Sequence, residues 1–251
     1  MARCKLLSPL ADVLFPPRCP LCGAGTASVD SLCAACWTTL AIPGDPCCSQ
    51  CQRPFAEGMA TGAICAPCLQ QPPTHDGIAA GSIYTDPSRR LVLALKHGHR
   101  IGLAPMMARL ISARLREVDE SWVFVPVPLH RWRLWQRGFN QSALIARALV
   151  RLRGGRLCVD GLVRRKRTPS LAGLGRKARK RALSGAITIN PRRMETIRGA
   201  NIVLVDDVLT SGATTNACVS MLKRAGAGKV VIACFARVID EVVSTRTASV
   251  A

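Results

Sequence analysis

Between residues 77 and 238 the apolar positions switch repeatedly between two spacings. Short, nearly continuous apolar runs stand at 77–85 (GIAAGSIYT), 122–128 (WVFVPVP), 157–165 (LCVDGLVRR), 201–207 (NIVLVDD) and 229–238 (KVVIACFARV). Runs of this length predict strands, most of them buried on both faces. Between them, apolar residues recur at three- and four-residue intervals in PSRRLVLALKHG, in 101–118 (IGLAPMMARLISARLREV), in 139–152 (FNQSALIARALVRL) and in 213–226 (ATTNACVSMLKRAG). That spacing predicts amphipathic helices, the first stopped by Gly98 and the second carrying Pro105 in its first turn. Strands alternating with helices define an α/β fold, a mainly parallel sheet flanked by helices. In such folds ligands sit outside the carboxyl ends of the strands, so the residues that end each strand are the candidates for function.

Residues 1–75 follow neither pattern and read as a separate small module, with residues 76–251 forming the α/β domain. Four CxxC pairs fall in this first part: Cys19 with Cys22, Cys33 with Cys36, Cys48 with Cys51, and Cys65 with Cys68. A CxxC turn brings two sulfurs close enough to share an ion, and two such turns about 10–14 residues apart complete a tetrahedral thiolate site. Eight ligands predict two Zn²⁺ ions, joined either by adjacent pairs or by an interleaved arrangement. Four thiolates leave no open position for water, so the expected zinc is structural rather than catalytic. The module has few large apolar residues, and metal is expected to supply most of its folding free energy. Cys4 and Cys47 are left over, while Cys158, Cys218 and Cys234 lie in apolar surroundings and are expected in the core.

Thirteen cysteines in an exported chain would argue for disulfides. The opening MARCKLLSPLADVLFPP, however, breaks its apolar run at Pro9, Asp12 and Pro16, and no later stretch approaches the length of a membrane span. The expected setting is therefore a reducing cytoplasm, without membrane insertion. Charge divides the chain at the same place as the apolar pattern: residues 1–78 carry 4 basic and 5 acidic side chains, against 31 and 10 in the remainder. The positive field of the second part attracts anions, either nucleic acid or a small phosphorylated ligand.

One stretch concentrates the chemistry. From Val203 the chain reads VLVDDVLTSGATT, an apolar strand that delivers Asp206 and Asp207 and then turns through Thr210, Ser211, Gly212, Ala213 and Thr214 into a helix. Amides and hydroxyls of such a turn point at an anion near the positive helix end, and Gly212 lets the main chain come close. Two carboxylates beside a phosphate cradle would repel that anion unless they accept hydrogen bonds from ligand hydroxyls or share a cation. A sugar phosphate satisfies both halves.

VLVDDVLTSGATT resembles the phosphoribosyl pyrophosphate (PRPP) motif of type I phosphoribosyltransferases. The wider chain, from Cys19 to about Val238, resembles the ComF (competence protein F) branch, which joins an N-terminal zinc ribbon to a phosphoribosyltransferase-like domain. This second likeness rests on the cysteine pairs, LALKHG, VPVPLHRWRLWQRGFNQSALIA and RRKRTPSLAGL. The resemblance implies that Asp206 and Asp207 hold the ribose hydroxyls, that Thr210, Ser211, Gly212, Ala213 and Thr214 wrap the 5′-phosphate, and that Mg²⁺ neutralises the pyrophosphate. Arg131, Arg133 and Arg137 follow a strand as the family's pyrophosphate loop does, and guanidinium groups suit a leaving pyrophosphate because they stay charged and grip it bidentately. Lys96 is a further candidate contact, although a lysine ending a helix also serves the dipole. Asp206, Asp207 and Arg137 are the candidate catalytic residues of a 5-phosphoribosyl transfer. His97, His99 and His130 read as surface residues.

The segment from Arg164 to Arg181 holds nine basic residues and no acid, and corresponds in the family to a flexible loop that closes over the site. The chain departs from the family pattern at Leu171, where glutamine is expected, and at Ala182, where asparagine is, which places ligand binding ahead of catalysis. Trp132, Trp135 and Phe139 among the arginines also suit single-stranded DNA, by stacking on bases and pairing with phosphates.

Overall fold

The computed structural model describes residues 16–28, 31–60, 62–166 and 185–239. Two one-turn helices, α1 (Ala34–Trp37) and α2 (Ala66–Gln70), start immediately after Cys33 and Cys65. There follow β1 (Gly77–Ile83), α3 (Asp86–His97), α4 (Leu103–Ser112), β2 (Val123–Pro126), α5 (Arg131–Arg137), α6 (Gln141–Arg153) and β3 (Arg156–Leu157). The remaining described elements are β4 (Leu162–Arg164), β5 (Ile187–Ile189), α7 (Met194–Ile197), β6 (Ile202–Leu209), α8 (Ala213–Arg224) and β7 (Val230–Arg237).

Five strands form one parallel sheet in the order β1-β7-β6-β2-β3, as the alternating pattern requires. Successive side chains of the central strands go to opposite faces. Phe124, Val203, Val205, Ala233 and Phe235 pack with Met107 and Ile111 of α4 and with Ile145 and Leu149 of α6. Val125, Ile202, Leu204, Ile232 and Cys234 pack with Cys218, Val219 and Leu222 of α8. Each buried Val, Leu, Ile, Met or Phe among them contributes about 1.5–3 kcal/mol, so the apolar strands define the sheet and its two helix layers together. Cys158, Cys218 and Cys234 are core residues as expected.

The strand order fixes where a ligand can sit. From β2 the chain crosses to β3 on one side, whereas from β6 it crosses to β7 on the other. The neighbouring carboxyl ends of β2 and β6 therefore flank the topological switch point, the crevice where parallel α/β sheets bind ligands.

The cysteine-rich region covers the free edge of β1. The Ala80 N–H donates to Oε1 of Gln52 at 3.2 Å and the Ile83 N–H donates to the Ala41 carbonyl at 2.7 Å. Leu21 and Leu40 join the core on the α4–α6 face, and Cys48, Cys51, Cys65 and Cys68 join the core on the α8 face beside Ile78 and Ala80. Asp45 pairs with Arg116 and, at 3.8 Å, with Arg114, both just after α4. An edge strand is a template for unwanted pairing, and here two of its amides, those of Ala80 and Ile83, are occupied by the cysteine-rich region.

Several elements differ from the sequence expectation. The helix expected over 101–118 ends at Ser112, because Nη2 of Arg153 takes the carbonyls of Leu115 and Val118, each at 2.7 Å, and holds that stretch in turns. The strand expected over 157–165 is two short strands. The chain turns between them at Asp160, whose carboxylate accepts from Arg193 Nε at 2.8 Å and Asn190 Nδ2 at 3.1 Å. The second piece, β4, pairs antiparallel with β5 outside the main sheet. The basic loop after Arg164 lies largely outside the described residues, as do Leu171 and Ala182. Among the described residues no helix is long and apolar enough to cross a membrane.

Candidate ligand-binding site and zinc centres

The eight paired cysteines form two sets, Cys19, Cys22, Cys33 and Cys36, and Cys48, Cys51, Cys65 and Cys68, with all ligand atoms of a set within 4.8 Å of one another. Adjacent pairs join, which settles the arrangement that spacing left open. The Cys22 and Cys33 sulfurs approach to 3.5 Å, as do those of Cys51 and Cys65. Four sulfurs gathered in this way fit a tetrahedral zinc ion and no other ligand is needed. The second set is buried throughout. Cys47 belongs to neither set, its thiol donating to Asp45 at 3.2 Å.

At the switch point, β6 carries the paired carboxylates. The strand does not stop at them, as the sequence reading expected, but continues to Leu209, so Asp206 lies within the ladder opposite Cys234 and Asp207 follows it inside the strand. Asp207 is buried, and its Oδ2 lies 2.7 Å from Nζ of Lys96, in the last turn of α3. Asp206 accepts from its neighbour's backbone N–H at 2.9 Å and from Ser142 Oγ, in the first turn of α6, at 3.1 Å. Burial, and next the charge of Asp207, push the Asp206 carboxyl up to about 7.

A raised carboxyl favours the folded state while it holds its proton and loses that advantage as pH climbs. Relative to Asp206→Asn, the wild type is therefore expected to be most stable below about pH 4 and to lose ground up to about pH 7. Thermal melts of both proteins across this range check the sign, since zinc and all other groups are common to the pair.

After Leu209 the chain turns through the exposed Thr210 and Ser211 to Gly212. Gly212 has φ +72°, the left-handed region that favours glycine, and N-caps the twelve-residue α8. Thr215 Oγ1 donates to the Gly212 carbonyl at 3.0 Å, which fixes the turn, and leaves Ala213 and Thr214 at the positive helix end.

Across the crevice, the segment after β2 is a seven-residue helix, α5, where the sequence reading expected a loop. His130 caps it, Nδ1 accepting from the Trp132 N–H at 3.2 Å, and Gly138 at φ +75° closes it. Its apolar residues gave no helical signal because none is buried: Trp132 and Trp135 are 47% and 76% exposed and stack with centroids 5.2 Å apart rather than packing on the sheet. Arg133 and Arg137, one turn apart, face a cavity of about 400 Å³ also lined by Lys96, His97, His99 and Gln136. Burial pushes Arg137 down, opposed by the nearby charge of Asp207, and its Nη1 donates to Gln141 Oε1 at 3.3 Å.

The fold thus brings Lys96, Arg133 and Arg137 together beside Asp207, with Asp206 next in the strand and the Thr210–Ser211–Gly212 turn following. Arg131 is exposed at the start of α5 and is not among the residues lining the cavity. Ser142 was missed by the sequence reading, and Arg164, expected as the first residue of the loop that closes over the site, is instead the buried last residue of β4. Arg164 is 8% exposed, and its guanidinium, pushed down by burial and by Arg133, is opposed by Cys218 and Asp206. His97 and His99, read as surface residues, also line the cavity. The available signal for Ser142 was Asn140, whose side chain links the Val127 carbonyl to the Ser142 N–H and so starts α6 at the site.

These features define a phosphoribosyltransferase-like protein with a double zinc ribbon. Residues 10–69 match the family model described as "Double zinc ribbon domain", and residues 152–247 match "Phosphoribosyl transferase domain". The chain is 32% identical over 228 residues to DNA utilization protein YhgH of Salmonella typhi, covering 84% of this chain and 98% of that one. It is 31% identical over 197 residues to the protein of the same name from Escherichia coli K12, covering 76% and 83%. With Competence protein F of Haemophilus influenzae it shares 27% over 210 residues, covering 77% and 91%. The chain belongs to the ComF, or competence protein F, family.

Proposed function

We propose that the switch-point crevice binds PRPP, with residues 76–251 as the ligand-binding domain and residues 1–75 as its zinc-stabilised brace. One observation carries this reading: a paired carboxylate, an amide-rich helix entrance and a cationic cavity meet at the carboxyl ends of two adjacent strands. Asp206 and Asp207 accept from the ribose hydroxyls, the turn from Thr210 to Thr214 wraps the 5′-phosphate, and Lys96, Arg133 and Arg137 face the pyrophosphate. Both carboxylates already have partners, so Mg²⁺ fits as a companion of the ligand's own phosphates, where it would offset their charge.

The reaction such a site supports is 5-phosphoribosyl transfer. The ribose C1–O bond breaks, its electron pair leaves on pyrophosphate, an amine or nucleobase nitrogen bonds to C1, and the proton that nitrogen gives up passes to the departing pyrophosphate or to water. The cations stabilise the departing charge, and the cradle positions the sugar. Isothermal titration of Mg²⁺ and PRPP into the zinc-loaded chain is expected to show one site per chain, whereas silence at millimolar ligand would overturn the proposal.

A second reading has its own observation, the exposed Trp132–Trp135 stack on the cationic α5, which suits single-stranded DNA. The printed names of the relatives, DNA utilization protein and Competence protein F, agree with it. Binding of an oligonucleotide that weakens steeply with salt and is lost in Trp135→Ala, while PRPP binding persists, would establish it as an independent activity.

A further inference from the structure

The cavity contains two side chains that neither the carboxylate motif nor the arginines of α5 call for. His97 ends α3, and His99 follows after Gly98. His99 holds φ +51°, a left-handed conformation that is uncommon outside glycine and is kept only where the surroundings enforce it. Its carbonyl accepts from the Ile101 N–H at 2.8 Å, and its ring meets Phe139 edge-on at 6.0 Å. Phe139 lies directly after the Gly138 that closes α5. The left-handed turn and the aromatic contact bring the end of α3 to α5, and His97 and His99, both exposed, line the cavity that Arg133 and Arg137 face.

The charges around them are one-sided. α3 contributes Lys96, α5 contributes Arg133 and Arg137, and Gln136 is neutral. Among the described residues the acid paired with this group is Asp207 of β6, 2.7 Å from Lys96. Arg133 and Arg137 sit at i and i+4, where like charges repel. An anion in the cavity relieves that repulsion, and an imidazole beside it gains from taking up a proton. Histidine is the side chain whose charge ordinarily changes between pH 5 and 8.

Resting on the PRPP reading and extending it, we propose that His97 and His99 are anion-binding residues of this cavity. With Lys96, Arg133 and Arg137 they complete a site for a phosphoanhydride, and its affinity is set by protonation of the two imidazoles. Acidification then tightens the grip on pyrophosphate, and alkaline conditions release it.

The probe is inorganic pyrophosphate titrated into the full, zinc-loaded chain at pH 6.5 and 7.5, values chosen about the usual histidine range. Comparison is with a protein carrying both His97→Gln and His99→Asn, asparagine being tolerant of the left-handed backbone. The ligand's own titration is common to both proteins and cancels in the ratio of their affinities. Wild type is expected to lose at least about fivefold more affinity than the double variant over that pH unit, and up to about a hundredfold where both imidazoles take up a full proton on binding. His97→Lys is expected to keep tight binding and to lose the His97 share of the pH response, leaving that of His99. An equal pH response in wild type and double variant overturns the inference.

If the double variant does not fold, histidine-labelled wild type decides by NMR. The chain has 4 histidines, and two imidazole signals must move towards the protonated form when pyrophosphate is added; no movement overturns the inference. Mg²⁺ and PRPP titrated in parallel separate this inference from the one beneath it. PRPP bound with no histidine dependence removes the histidine role and leaves the PRPP reading, whereas histidine-dependent pyrophosphate binding without PRPP binding does the reverse.

Discussion

Cys51→Ser is expected to cost the chain one of its two zinc ions, to unfold the region around Cys48–Cys68, and to make the remaining protein associate into larger particles. The first effect follows from the geometry, because Cys51 shares a set of four sulfurs within 4.8 Å and a serine hydroxyl does not replace a thiolate. The second follows from size: structural zinc supplies about 10–16 kcal/mol in small metal-bound modules, far more than the few apolar residues of this region bury. The third follows from what the region covers. Loss of the fold around Gln52 uncovers the Ala80 N–H, so this part of the outer edge of β1 becomes free to pair with another chain. Elemental analysis gives the zinc count, thermal melts the stability and size-exclusion chromatography the association. A variant that stays the size of the wild type and still holds two zinc ions would remove the structural role assigned to the second ribbon.

How far the sequence carried is uneven, and the unevenness has physical causes. The sheet was legible because residues buried on both faces leave nearly continuous apolar runs, as in NIVLVDD and KVVIACFARV. The zinc ligands were legible because a thiolate site constrains local spacing, although the pairing of the four CxxC turns needed the fold. Helix α5 was hidden because its tryptophans and leucine are exposed, so no apolar stripe marks a buried face. The contact of Lys96 with Asp207 joins residues 111 positions apart and leaves no local trace; Lys96 alone reads equally well as a helix-end cation. His99 was set aside for a related reason, since its place in the cavity depends on a left-handed turn that no neighbouring residue announces.

The paired carboxylates yield the largest expected effect on ligand binding. Hydrogen bonds from hydroxyls to a charged group contribute about 1.5–3 kcal/mol each, so Asp207→Asn is expected to weaken PRPP binding by about 10-fold to 100-fold and the variant carrying Asp206→Asn as well by more. The same change frees Lys96, which lines the cavity and is 21% exposed, from its 2.7 Å ion pair. Affinity for inorganic pyrophosphate, which has no ribose, is therefore expected to hold or rise while affinity for PRPP falls. Removing one partner of a fully buried ion pair costs about 3–5 kcal/mol, and the loss here is expected to be smaller, since asparagine keeps the shape of the side chain and Lys96, 21% exposed, can turn to solvent. Opposite movement of the two ligands distinguishes lost sugar contacts from a collapsed site, which would lose both. Equal loss of PRPP and pyrophosphate in a variant that melts like the wild type would mean that the aspartates support the cationic cavity rather than hold a sugar. Unchanged binding of PRPP would detach β6 from the ligand altogether.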